Sequence, residues 1–170
     1  MANPTMTLIG SNTVGSGGVS SVTFSSIPST YTDLAVKFST RTTTTGSVWT
    51  DLLIKLNGST SGTSTIVLYG TGSTTGSGSF ALLAPIQGEA QGTANTFGSG
   101  EFYIPNYASS NYKSLSADSV TENNASNSIA QLGASLWSNT AAINSVDISV
   151  YNGTNFVQYS TFYLYGISNS

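Results

Sequence analysis

The sequence predicts an all-β protein, an antiparallel β-sandwich of jelly-roll type with about nine or ten strands. Three observations carry that expectation. Apolar residues recur at every second position in several short runs, the spacing of a strand with one buried face. Turn formers punctuate those runs at close intervals: Ile27-Pro28, Asn57-Gly58, Pro105-Asn106 and Asn152-Gly153. No segment carries a convincing helical period with a cap.

The clearest runs are two near-copies of one phrase, Thr32-Asp33-Leu34-Ala35-Val36-Lys37-Phe38 and Thr50-Asp51-Leu52-Leu53-Ile54-Lys55-Leu56. Each raises an apolar ridge: Leu34, Val36 and Phe38 in the first, Leu52, Ile54 and Leu56 in the second. They read as antiparallel neighbours in one sheet. Their charges favour a register with Lys37 against Asp51 and Lys55 against Asp33.

In chain order, Thr5 to Ile9 is an edge strand and Val14 to Gly18 a flexible link, so residues 1–18 form an N-terminal appendage to a single domain spanning 1–170. Val22 and Phe24 share a face of the next strand, which Pro28 stops because it cannot donate to a ladder. Thr65 to Tyr69 is a strand with a continuous apolar run from Ile66. Gly70 to Ser79 is almost pure Gly, Ser and Thr and reads as a mobile loop. Phe80 to Ile86 is a short strand broken by Pro85, and Gln87 to Gly98 is a long connection. Glu101 to Ile104 and Lys113 to Thr121 are strands. Ile129 to Trp137 fits a strand better than a helix, with Ala130, Leu132, Ala134 and Leu136 on one face. Val146, Ile148 and Val150 alternate in the next run. Phe156 to Ile167 ends the chain, with Phe162 and Leu164, and Tyr159 as a further candidate, toward an interior.

Composition narrows the chemistry. Only 6% of the 170 residues are charged, for a net charge of −3, against about 25% in ordinary globular proteins. Ser and Thr together make 54 residues and Asn another 14, so hydroxyls and amides keep the surface wet. Such a surface has no basic stripe for nucleic acid and no polybasic patch for a membrane. Weak repulsion between like copies suits a protein that sits against others. There is no Cys and no His, which removes thiolate chemistry and the commonest general base and metal ligand. The N-terminal residues have no positive n-region or long apolar stretch, so no secretory signal is expected.

Candidate sites are sparse. Asp118, Glu122 and Asn123 are the best oxygen cluster for an ion, but they match no binding-loop spacing, and no metal or cofactor is expected. Glu89 and Glu101 could be paired as hydrolytic carboxylates, yet among seven acidic residues some pairing is inevitable, and no enzymatic activity is expected. Trp49, Tyr103, Tyr107, Tyr112 and Trp137 could stack sugars or meet a partner. Against this stands a packing role, with Trp49 plugging one end of the sandwich and Trp137 packed inside it. Asn57, Asn124 and Asn152 head Asn-x-Ser/Thr triplets, which read as turn composition.

Several blocks, taken in order, resemble one family. They are Ser21-Val22-Thr23-Phe24-Ser25-Ser26-Ile27-Pro28 running into Tyr31-Thr32-Asp33-Leu34, and Thr93-Ala94-Asn95-Thr96-Phe97-Gly98-Ser99-Gly100-Glu101 running into Tyr103-Ile104-Pro105-Asn106-Tyr107. Ser110-Asn111-Tyr112-Lys113-Ser114, Leu136-Trp137-Ser138-Asn139-Thr140-Ala141-Ala142-Ile143, and Phe156-Val157-Gln158-Tyr159-Ser160 with Leu164-Tyr165-Gly166-Ile167 complete the set. Over residues 20–168 the chain is similar to the small Ser/Thr/Gly-rich β-sandwich virion structural proteins of tailed bacteriophages from aquatic bacteria, cyanobacterial phages among them. Members tend to carry an acidic residue soon after the Asn-Gly turn, where this chain has Ser59.

The resemblance implies a capsid or tail role and brings no catalytic motif. Together with composition it points to a capsid decoration (cement) protein on the outside of the shell. The alternative is a tail-fibre or spike module that recognises host surface glycans. A free carbohydrate-binding module ranks third. The expected partners are other virion proteins, the major capsid protein first, and further copies of the chain, with a trimer favoured. Neither nucleic acid nor membrane is expected as a partner. The expected location is the virion, after synthesis in the host cytoplasm without a signal peptide.

Overall fold

The computed structural model describes residues 5–47, 49–80, 86–88 (backbone only), 92–123, 128–151 and 153–168. It is all-β, and the described residues form twelve strands in two antiparallel sheets. The larger sheet contains β1 (Met6–Thr13), β3 (Asp33–Thr40), β5 (Thr63–Gly70), β6 (Thr75–Phe80), β8 (Gly98–Ile104), β9 (Lys113–Glu122), β10 (Ser128–Trp137) and β12 (Thr161–Ile167). The smaller contains β2 (Ser21–Phe24), β4 (Trp49–Leu56), β7 (Ile86–Gly88) and β11 (Val146–Val150). Their spatial orders are β1-β12-β3-β8-β9-β10-β5-β6 and β2-β11-β4-β7. The pairs nest: β1 lies on β12, β2 on β11, β3 on β8 and β4 on β7. Strands β9 and β10 and the β5–β6 hairpin extend the larger sheet beyond β8. No helix among the described residues is long and apolar enough to cross a membrane.

The expected adjacency of the twin phrases is overturned. They lie in different sheets, as β3 and β4. The charge logic is satisfied by other strands. Lys37 pairs with Glu101 on β8, and Lys55 stands opposite Asp147 on β11. The two apolar ridges therefore both enter the core between the sheets: Leu34, Val36, Phe38, Leu52, Ile54 and Leu56 are all buried in one cluster. Val22 and Phe24 of β2, Val146, Ile148 and Val150 of β11, and Phe162 and Leu164 of β12 complete its middle. Phe156 meets Phe162 edge-on, with ring centroids 4.9 Å apart, an arrangement favoured by the ring quadrupoles. Tyr159 faces away from that interior. It is 67% exposed with φ of 72°, because the turn before β12 takes it through the left-handed region.

The strand count exceeds the expected nine or ten chiefly because the Gly/Ser-rich stretch after Gly70 is not a loop. It turns at 71–74 and returns as β6 against β5. Gly76 leaves room there for Tyr69, whose hydroxyl would lie 2.5 Å from a Cβ at that position. The link after β1 is anchored: Val14 is buried, and its N–H donates to the Ser160 carbonyl at 2.9 Å.

Tyrosine and lysine pin one end of the sandwich. Tyr107 is fully buried; its hydroxyl donates to the Pro28 carbonyl and accepts from the Tyr31 N–H at 3.4 Å. Lys113 is also buried, its Nζ donating to the carbonyls of Ala141 at 2.7 Å and Ser109 at 2.8 Å, with that of Asn139 at 3.4 Å. The same Nζ sits 5.5 Å from the centre of the Trp137 ring. Asn57, in the left-handed region at φ 52° beside Gly58 at 72°, donates to the Ala142 carbonyl and accepts from the Asn144 and Ser145 N–H groups. Its side chain is a brace between loops.

Candidate functional site

The outward face of the eight-stranded sheet is built from three rows of side chains, fixed by the ladder register. One row runs Leu8, Tyr165, Ala35, Tyr103, Ser116, Ala134, Ile66, Ser79. Beside it run Tyr163, Lys37, Glu101, Asp118, Leu132, Leu68 and Ser77. The third passes from Thr161 and Ser39 through Ser99, Val120 and Ala130 to Gly70 and Thr75. Residues two apart share a face, so each row is a stripe across the surface.

The rows divide the face into unlike halves. On β12, β3 and β8 the face is aromatic and charged. Tyr163 and Tyr165 stack with centroids 6.4 Å apart at 29°. Lys37 forms an ion pair with Glu101, and the carboxylate raises the lysine pKa by hydrogen bonding to its charged form. The Tyr103 hydroxyl donates to Asp33 Oδ2 at 2.5 Å, while Asp33 Oδ1 accepts the Asn106 N–H at 2.7 Å. The bond to Asp33, reinforced by burial and by the carboxylate charge, pushes the Tyr103 pKa up to about 12. Burial and the Glu101 charge raise Asp118, with Lys37 opposing them.

On β10 and β5 the face is mainly aliphatic, and β9 adds Val120 beside Ser116 and Asp118. Ile66 is 63% exposed, Leu68 59%, Leu132 56%, Val120 50% and Leu136 40%. Isolated exposed aliphatics are ordinary, whereas a contiguous group marks a surface made to be covered. The interior face of β10 is the more polar one, with Gln131, Gly133 and Ser135 alternating between Ile129 and Trp137. Leu68, Leu132, Val120, Asp118, Ala130 and Gly70 are among the residues lining an open depression of about 750 Å³.

The five residues singled out from sequence do not converge. Tyr103 belongs to the outward face, but its hydroxyl is committed to Asp33. Tyr107 and Trp137 are core residues, so neither presents a ring to a ligand. Tyr112 is exposed in the turn before β9, and Trp49 is half-buried on β4, beside a depression shared with Thr45, Asp51 and Tyr151. Period-2 alternation around Phe162 and Leu164 could have found Tyr163 and Tyr165. The apolar faces of β5 and β10 were legible too, but which side of the sheet they occupy depends on pairing.

Asp118 and Glu122 lie four residues apart on one extended strand, roughly 13 Å. Among the described residues no group of three or more acids could hold a metal ion. Glu89 lies outside the described residues, as do Asn124 and Asn152. No protein-family model and no curated protein matches the chain.

Proposed function

We propose that this chain is a non-enzymatic structural protein of a bacteriophage virion, a capsid decoration protein on the outside of the shell with the major capsid protein as its principal partner. The observation that carries the reading is the contiguous aliphatic half-face on a protein with 6% charged residues. A free monomer gains nothing from that face, whereas a subunit of a lattice buries it. The nested strand pairs support reading the fold as a jelly roll whose larger sheet is extended by β9–β10 and β5–β6. Catalysis has little to work with: the chain has no His or Cys, and Glu101 is engaged by Lys37. The test is copy number in purified particles by quantitative mass spectrometry. Hundreds of copies per particle fit decoration of a symmetric shell, and on the order of a dozen indicate a fibre.

A second reading, a tail-fibre or spike module for host glycans, is favoured by the stacked Tyr163 and Tyr165 beside the Lys37–Glu101 pair. Aromatic platforms next to fixed polar groups suit sugar rings. Glycan-array binding that Tyr163→Ala abolishes would move the assignment to this reading.

A further inference from the structure

We propose that the outward face of β5, β10 and β9 is covered by the same face of a second copy of this chain, in a two-fold, face-to-face contact. This deepens the assembly reading above and rests on it by naming what covers the aliphatic face.

The relief along β10 is self-complementary. Along β10 the outward residues are Ala130, Leu132, Ala134 and Leu136, small and large in turn. A two-fold axis lying in the interface and crossing the strands at the level of Gly133 exchanges positions equally spaced about that residue. It sets Leu132 over the partner's Ala134 and Leu136 over the partner's Ala130. On β5, Val67 stands at the same level as Gly133, so Leu68 meets the partner's Ile66. Each bulky residue of β10 thus enters a hollow, as packed sheet faces require. An isologous contact needs this kind of self-matching, because every patch meets its own copy.

Charge allows the same arrangement. Asp118 is the acid nearest the centre of the face, and Ala117 lies level with Gly133. The axis therefore places Asp118 over the partner's Ser116 rather than over its own image, which avoids a like-charge contact. The five exposed large aliphatics and the alanines between them amount to about 500 Å² per copy, near the lower end of specific interfaces. A micromolar dimer that a lattice consolidates fits that area. Three-fold association, favoured on general grounds from sequence, would instead need two different patches.

Sedimentation velocity on the full chain, from sub-micromolar to tens of micromolar, tests the pairing with two outward-facing variants. Leu132→Asp should give a monomer with an unchanged thermal melt. Ala134→Leu adds apolar surface but fills the hollow, and should raise the dimer dissociation constant about tenfold or more. A sticky patch without interdigitation would respond oppositely, with Ala134→Leu associating more tightly, and that result overturns the proposal. So does a monomeric or trimeric parent, or a dimer that survives both variants, which would indicate pairing through the β6 edge. A monomeric parent present in hundreds of copies per particle would sink the pairing and leave the assembly reading standing. A dimeric parent absent from particles would do the reverse.

Discussion

Replacing Lys113 by Met should destabilise the fold by about 3 kcal/mol, although the position lies at the start of a strand and Met nearly matches its length. The magnitude follows from what Nζ holds. Two short bonds, to Ala141 at 2.7 Å and Ser109 at 2.8 Å, tie the turn before β9 to the loop after β10. A hydrogen bond from a charged donor contributes roughly 1.5–3 kcal/mol, and orphaning a buried carbonyl costs about 1–3 kcal/mol. Burial, which lowers the Lys113 pKa below its ordinary value, offsets part of the sum because the variant no longer desolvates a charge. The contact with Trp137 is lost as well. For a domain of this size, about 3 kcal/mol lowers the melting temperature by roughly 6–12 °C. Urea unfolding followed by tryptophan fluorescence gives the free energy directly. A Lys113→Met midpoint equal to that of the parent would refute the claim that Nζ fastens the two loops.

Two further predictions concern the core and the outward face. Phe38→Ala and Ile54→Ala, which remove fully packed ridge side chains on opposite sheets, should each cost about 2–5 kcal/mol through the cavities left behind. Urea midpoints unchanged in either would contradict the shared core. Tyr103 should hold its proton to about pH 12. Since its folded pKa lies above the ordinary value of about 10, the bond to Asp33 stabilises fully below pH 10 and is lost as pH rises toward 12. Absorbance titrations at 295 nm of parent and Tyr103→Phe should coincide through about pH 10, and a deficit of about half a phenolate in the variant at that pH would refute the bond.

Much of the architecture was legible because a strand with one buried face writes itself as alternation. The ridges of β2, β3, β4, β11 and β12 all point inward as their spacing implies. Pairing was less legible. Apolar ridges on two similar phrases fit neighbours in one sheet as well as partners facing across a core, and only the distant strands β8, β11 and β12 decide between them. Strand β6 was hidden because its glycines signal a loop, whereas here one of them makes room for the Tyr69 ring. The five aromatic candidates share a residue type, and type does not tell a buried ring such as Tyr107 from an exposed one such as Tyr112. The aliphatic face is legible only in part for a related reason: apolar alternation in β10 says that a face is covered, without saying by what.

Thiol labelling at that face tests the central claim most directly. The chain has no cysteine, so Ala134→Cys introduces a unique probe in the middle of the aliphatic surface, and Tyr112→Cys provides an exposed control. Maleimide labelling should proceed at similar rates at both positions in dilute protein. In assembled particles the account predicts that labelling at position 134 slows by about tenfold or more while position 112 changes little. Equal labelling at position 134 in particles and in dilute solution would contradict the claim that this face is covered in an assembly.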